Sequence, residues 1–252
     1  MKREYHIKWH HTIDSTNNEA ARLLPGLDNL SVIAARYQTA GRGQRGNRWQ
    51  SDAGDNLTFS LVLKPGRDDI PAIRASEQFA VSEIAALSVV EYLRAEGIDA
   101  KIKWPNDIYV SDSKICGILI ENSVMDNMLS ASIAGIGINL GQTRFPSDIP
   151  NPVSASLITG RHYDPEKELK VFTDHLDSML DILAEEDGML SLRQRYLDHM
   201  YRRDSLHQYI DAASGKTFSG TIRGIADNGC LRIESEEGTV RDFAFKEISY
   251  II

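Results

Sequence analysis

Gln38-Thr39-Ala40-Gly41-Arg42-Gly43-Gln44-Arg45-Gly46-Asn47-Arg48-Trp49 is the stretch on which the fold turns. Its centre, Gly41 to Gly46, matches G-x-G-x-x-G letter for letter. In a dinucleotide-binding fold a helix opens straight after that fingerprint, so that its N-terminus faces the pyrophosphate. Here Asn47 to Asp55 is polar and turn-like, and Asn56 to Leu63 alternates apolar and polar side chains as a strand does. The dinucleotide-binding reading is therefore rejected. The loop stays chemically loaded, because Arg36, Arg42, Arg45 and Arg48 crowd together in a chain of net charge −8. Glycine lets a backbone approach a ligand closely, and guanidinium forks match phosphate and carboxylate oxygens. Two readings stand side by side: a cationic surface loop with one packed tryptophan, Trp49, or an anion-binding lid.

Working outward, Ser31 to Tyr37 reads as a buried strand, preceded by a short helix capped by Asp14 or Ser15 and stopped at Pro25-Gly26. Downstream, Ile70 to Glu96 reads as one long Ala-rich helix closed by Gly97. Strand-like runs follow at Ala100–Trp104, Asp107–Val110, Ile115–Val124 and, after the Asp126-Asn127 turn, Leu129–Ile138. Leu169, Phe172, Leu176, Leu180 and Leu183 repeat at helical spacing, and a further helix covers Met189 to Met200. The acids between those leucines read as a solvated face. After Arg203 the texture becomes short strands: Thr217–Ile225, Leu231–Glu234 and Thr239–Phe245, joined by Asp227-Asn228-Gly229 and Glu236-Glu237-Gly238. The expectation is a main domain over 1–204 and a small all-β domain over 205–252.

Composition narrows the function. The chain has 252 residues, 42% hydrophobic and 25% charged, the balance of an ordinary soluble protein. Its net negative charge lacks the positive footprint of a dedicated nucleic-acid binder. Cys116 and Cys230 sit in apolar runs and read as buried hydrophobes. His10-His11 reads as a surface pair rather than a metal site. The polar start carries no apolar leader, so the cytoplasm is the expected location.

Five blocks, in order, closely resemble the biotin–protein ligase family: Ser15-Thr16-Asn17; Gln38 to Gly43 continuing to Trp49; Lys103-Trp104-Pro105-Asn106-Asp107; Lys114 with Gly117-Ile118-Leu119-Ile120-Glu121; and Gly135-Ile136-Gly137-Ile138-Asn139-Leu140. The resemblance covers roughly residues 10 to 141, and the β-rich tail looks like the SH3-like barrel that ends many such ligases. It implies an α+β fold, with a mixed sheet, helices on one side and the ligand on the other face. It also implies two half-reactions: biotin and MgATP give biotinyl-adenylate and pyrophosphate, then a lysine of a carboxylase's biotin carrier domain takes the acyl group. Family members with a repressor role carry a DNA-binding domain ahead of the first block. Here that block starts at Ser15, so no nucleic-acid partner is expected, and no membrane partner; a monomer or homodimer fits equally.

Residue by residue, the resemblance implies that Ser15, Thr16, Asn17 and Gln38 meet biotin's ureido ring, with Gly43 and Gly117 offering backbone contact and Arg42, Gln44 and Lys114 close by. Arg42, Arg45, Trp49, Asn106, Lys114 and Asn139 fall to ATP, Trp49 by stacking on adenine and Asn139 by hydrogen bonds to its edge. Arg42, Lys114 and Asp107 take the catalytic roles; no protein-held metal is implied beyond the Mg²⁺ of ATP. One departure is visible: many relatives carry arginine where this chain has Gln44, and the neighbouring Arg45 is expected to take over part of that charge. The competing readings are a lipoate- or octanoate-transferring ligase of the same fold and a non-catalytic vitamin-binding module.

Overall fold

A computed structural model describes residues 2–252, without the side chain of Arg45. Seven strands form the main sheet: β1 (His6–Ile13), β2 (Ser31–Gln38), β3 (Leu57–Leu63), β4 (Lys101–Lys103), β5 (Asp107–Val110), β6 (Ser113–Met125) and β7 (Met128–Ile138). Their order is β1-β2-β3-β7-β6-β5-β4. Only β1 and β2 run parallel, so the sheet is mixed. The edge strand β1 escaped the sequence reading, because its histidines and lysine disguise a half-buried alternation.

The two faces of the sheet have different partners. Alternate residues such as Val32, Ala34, Leu61 and Leu63 point into the main apolar core. There they meet α2 (Phe79–Ala95), α4 (Pro165–Leu183) and α5 (Gly188–Asp198). The residues between them, Ile33 and Val62, with Ile133 of β7, bury Ala20 of the short helix α1 (Thr16–Leu23) on the opposite face. Period-two alternation thus sends neighbouring side chains into separate clusters. The site described below shares the α1 face. A further short helix, α3 (Ala155–Thr159), is capped by Ser154, whose hydroxyl accepts from the Leu157 amide.

The expected helix from Ile70 is shorter than its apolar stripe suggested. Residues 70–78 are irregular apart from one 3₁₀ turn, and α2 opens at Phe79. Pro71 interrupts the run, and the backbone there pairs outward: the Leu129 amide donates to the Ile73 carbonyl at 2.9 Å, and the Ala75 amide to Asn127 at 2.8 Å. Ile70 and Ile73 are buried, which produced the apolar signal without a helix.

The tail forms β8 (Leu206–Asp211), β9 (Thr217–Ile225), β10 (Leu231–Ser235), β11 (Val240–Phe243) and β12 (Ile248–Tyr250). They make an antiparallel sheet in the order β11-β10-β9-β8-β12. Among the described residues the hydrogen-bonded ladder runs from β11 to β12. The second sheet is not an independent bead. Tyr209, Ile222, Leu231 and Phe243 belong to the same apolar core as the main sheet. Trp104 Nε1 donates to the Gly229 carbonyl at 3.0 Å, and Arg193 reaches the carbonyls of Ile225 and Ala226 at 3.4 and 3.2 Å. Arg193 is itself ion-paired with Glu83, a carboxylate only 1% exposed, whose pKa burial pushes up against the opposing pull of that arginine. Among the described residues no helix is long and apolar enough to cross a membrane.

Candidate active site

A cavity of about 480 Å³ opens on the α1 face of the main sheet, lined from the start of α1, the glycine loop, the 103–107 turn, β6, β7 and the C-terminal segment 245–250. One end is a polar cluster. Ser15, Thr16 and Asn17 are each less than 5% exposed. Gln38 Oε1 accepts from the Thr16 amide at 2.8 Å and from its hydroxyl at 3.2 Å. Ser60 Oγ stands 2.8 Å from Thr16 Oγ1 and 2.6 Å from Asn17 Oδ1. Asn17 Nδ2 donates to Glu121 Oε2 at 2.9 Å and to the Leu119 carbonyl at 3.3 Å, which fixes the amide's orientation. Gly135 makes room for it: a Cβ there would sit 2.0 Å from Asn17 Oδ1.

The glycine loop folds back on itself. The Trp49 amide donates to Gly41 at 3.0 Å and the Gly43 amide to Asn47 at 2.8 Å. Any side chain at Gly41 would meet the Trp49 carbonyl oxygen, 2.3 Å from its Cβ. This hairpin brings the Trp49 indole against the β6–β7 ladder, at the paired glycines Gly117 and Gly137. A Cβ on Gly137 would fall 2.3 Å from Trp49 Cε2, and one on Gly117 3.1 Å from Cζ3. The indole N–H is buried with no hydrogen-bond partner, an uncommon condition for such a group.

Two expected cations line this one cavity, each held by an acid. Arg42 makes a two-pronged pair with Glu121, 2.7 and 3.0 Å, and also donates to Asn18 Oδ1 at 2.9 Å. Lys114 Nζ lies 2.6 Å from Asp107 Oδ1, with the side chains 31% and 22% exposed. The Lys114 backbone is itself fastened: its amide donates to Asn151 at 2.7 Å and its carbonyl accepts from Val153 at 2.9 Å. Lys103 lies between the rings of Tyr109 and Tyr250, 4.8 and 5.0 Å from their centroids. Burial holds its pKa below the ordinary lysine value, against the pull of Asp107.

Of the residues expected to act, Ser15, Thr16, Asn17, Gln38, Arg42, Gly43, Gln44, Trp49, Asn106, Asp107, Lys114 and Gly117 line the cavity. Asn106 spends its amide N–H on the Ile118 carbonyl, so it fastens the turn to β6. Asn139 does not line the cavity. It is buried, and its amide N–H donates to the carbonyls of Val153 at 3.0 Å and Lys114 at 3.5 Å. The expected contact to adenine's edge is therefore not placed by this arrangement; Asn139 braces the strand start that carries Lys114. The side chain of Arg45 lies outside the described residues. Ser60 and the C-terminal wall carried no sequence signal of a site role and meet the site through tertiary contact alone. Glu121 and Gly137 stand in the blocks that carry the family resemblance, without a role assigned to either. Among the described residues no cluster of three or more His, Cys, Asp or Glu is placed to hold a metal ion.

Residues 6–139 match the Biotin/lipoate A/B protein ligase family. The chain belongs to this family. It is 35% identical over 237 residues to the biotin--[acetyl-CoA-carboxylase] ligase of Paracoccus denitrificans, covering 89% of this chain and 92% of that one. It is 30% identical to the bifunctional ligase/repressor BirA of Escherichia coli, over 94% of this chain and 71% of that protein. Among solved structures, the Aquifex aeolicus biotin protein ligase in complex with biotin and ATP superposes with a TM-score of 0.76 at 25% identity, covering 96% of this chain and 97% of that one. The mixed sheet, its helices and the separate antiparallel C-terminal sheet are those of an α+β protein of this family.

Proposed function

We propose that this chain is an ATP-dependent biotin–protein ligase that joins biotin to AMP and passes the biotinyl group to a lysine of a biotin carrier domain. What supports the reading is that one cavity gathers a buried amide–hydroxyl cluster and the cations Arg42 and Lys114 from segments far apart in sequence, in a chain 35% identical to a named biotin--[acetyl-CoA-carboxylase] ligase.

The chemistry follows from the parts. A ureido ring needs paired donors and acceptors in a small dry site, which Ser15, Thr16, Asn17 and Gln38 supply. A biotin carboxylate oxygen attacks the α-phosphorus of MgATP; the bond to the bridging oxygen breaks and pyrophosphate leaves. Two anions must meet, so Arg42 and Lys114 turn from Glu121 and Asp107 toward carboxylate and phosphate. The neutral lysine amine of the carrier then attacks the acyl carbon, AMP departs, and the amine loses its extra proton. Asp107, which lines the cavity beside Lys114, is assigned the orienting of that amine. Among the described lining residues Asp107 is the one carboxylate, which fits an ion that arrives on the triphosphate rather than in a protein cage. A nucleotide lying over Gly117 and Gly137 displaces the Trp49 indole, which then closes over it and keeps water from the mixed anhydride. Because Gln44 brings no charge, Arg45 carries part of the hold on the adenylate.

Residues 1–204 form the catalytic unit and 205–252 a second unit docked against it. The setting is the cytoplasm, where ATP and a carboxylase carrier domain are at hand. The test is pyrophosphate release by purified protein with MgATP and either biotin or lipoate. Turnover with biotin is expected; turnover with lipoate alone would replace the reading.

A further inference from the structure

The cations facing the cavity are not all committed. Arg42 is held by Glu121, Lys114 by Asp107, and Lys103 lies between two tyrosine rings, while Arg48 of the glycine loop lines the cavity with no carboxylate partner among the described residues. Lys246 also lines the cavity, and none of the ion pairs among the described residues involves it. It comes from the C-terminal sheet, on the turn between β11 and β12.

The backbone there is unusual. Lys246 has φ +86°, in the left-handed region that lysine rarely adopts. The turn is fastened at both ends. The Glu247 amide donates to the Ala244 carbonyl at 3.0 Å, and the Glu247 carboxylate accepts from the Ala244 amide at 2.7 Å. The Ala212 amide donates to the Glu247 carbonyl at 2.9 Å. Glu247, the nearest acid in sequence, is thus occupied within its own turn. The neighbouring Phe245 packs edge-on against Trp104, ring centroids 5.9 Å apart, which seats the turn beside the 103–107 block.

The order of the lining says what Lys246 faces. Along the sheet, Asn17 lies by Gly135, the Trp49 indole and Lys114 by Gly137 and Gly117, Asp107 opposite Gly117, and Lys103 opposite Asp107. The segment carrying Lys246 follows, beyond Trp104. With the acid's ring at the Asn17 end and its carboxylate at Lys114, the departing polyphosphate points toward this far end. We propose that Lys246 is a polyphosphate-binding residue, supplied by the C-terminal sheet to hold the β- and γ-phosphates of ATP and the pyrophosphate that leaves. This rests on the ligase reading. It gives the second sheet a direct part in nucleotide binding and makes a strained turn the means of placing one ammonium.

Lys246→Gly is the decisive variant. Glycine accepts φ +86° freely, so the turn is kept and only the side chain is lost. The expected result is a rise of about tenfold in KM for ATP and a matching rise in the inhibition constant for pyrophosphate, the size of one charge-assisted contact. KM for biotin and Tm should not worsen, and Lys246→Arg should recover most of the loss. Unchanged ATP and pyrophosphate constants in an active Lys246→Gly enzyme would overturn the proposal, and so would an equal rise in biotin KM. If the wild type shows no biotin-dependent turnover, the ligase reading fails. Calorimetric titration of ATP into wild type and Lys246→Gly then still decides the residue's role: a tenfold difference supports it and equal affinity removes it.

Discussion

Replacing Lys114 separates charge from packing at the centre of the site. Its ammonium lies 2.6 Å from Asp107 and about 6.0 Å from the centre of the Trp49 ring, while a Cβ on Gly117 would stand 3.3 Å from its Cε. The stem therefore covers the sheet, and only the tip is electrostatic. Lys114→Met keeps the stem and removes the charge. The ion pair is partly open to water, with side chains 31% and 22% exposed, so its loss costs ~1 kcal/mol at most. In a chain of this size that lowers Tm by about 2–4 °C. Catalysis should suffer far more. A fixed cation facing charge that develops at phosphorus is worth ~3–4 kcal/mol of barrier, or about 10²–10³ in rate. The assay is biotin-dependent ATP–pyrophosphate exchange, with thermal unfolding measured on the same preparations. A Met variant that folds with a small Tm change and exchanges near the wild-type rate would refute the role of Lys114.

Gly137→Ala should drive the indole off the sheet, since the new Cβ would lie 2.3 Å from Trp49 Cε2; the Trp49 emission, isolated by difference against Trp49→Phe, is expected to shift red and KM for ATP to rise, and an unmoved spectrum would show that the indole does not sit there. Arg45→Ala should release adenylate into solution faster, read by trapping free biotinyl-adenylate during turnover, and unchanged retention would end the idea that Arg45 compensates for Gln44. Lys103→Met bears on pH. The folded-state pKa of Lys103 is depressed, so between that value and the ordinary lysine value the unfolded chain binds more protons and stability rises with pH. The Met variant should lose that part of the slope in denaturant titrations at alkaline pH, and an identical slope would mean that Lys103 is not held in this desolvated position.

The parts of the fold legible in the sequence are those where local pattern and burial agree. The strands from Ala100 to Ile138 and the helix through Leu169 to Leu183 kept their places because alternation or helical spacing met the same core. Ile70 and Ile73 misled because they are buried without being helical, their backbone pairing outward beside Pro71. At the site, the glycine loop and the Lys103–Asp107 turn were each ambiguous alone, and it was the order of the five family-like blocks that singled out residues which now line one cavity. What was not legible is long-range. That Glu121 holds Arg42, that Ser60 stands under Asn17, or that Lys246 returns from the C-terminus depends on contacts made only once the sheets have packed. Asn139 was assigned to adenine through the family resemblance; what packing adds, and the sequence could not show, is that its amide N–H also braces the strand start that carries Lys114.

The most direct test mixes enzyme in excess with biotin and MgATP, quenches within one turnover, and weighs the products by mass spectrometry. The account predicts biotinyl-5′-adenylate in an amount matching the limiting biotin, with equal pyrophosphate and no AMP until a carrier domain is added. ATP consumed without any biotinyl-adenylate, or none consumed at all, would contradict it.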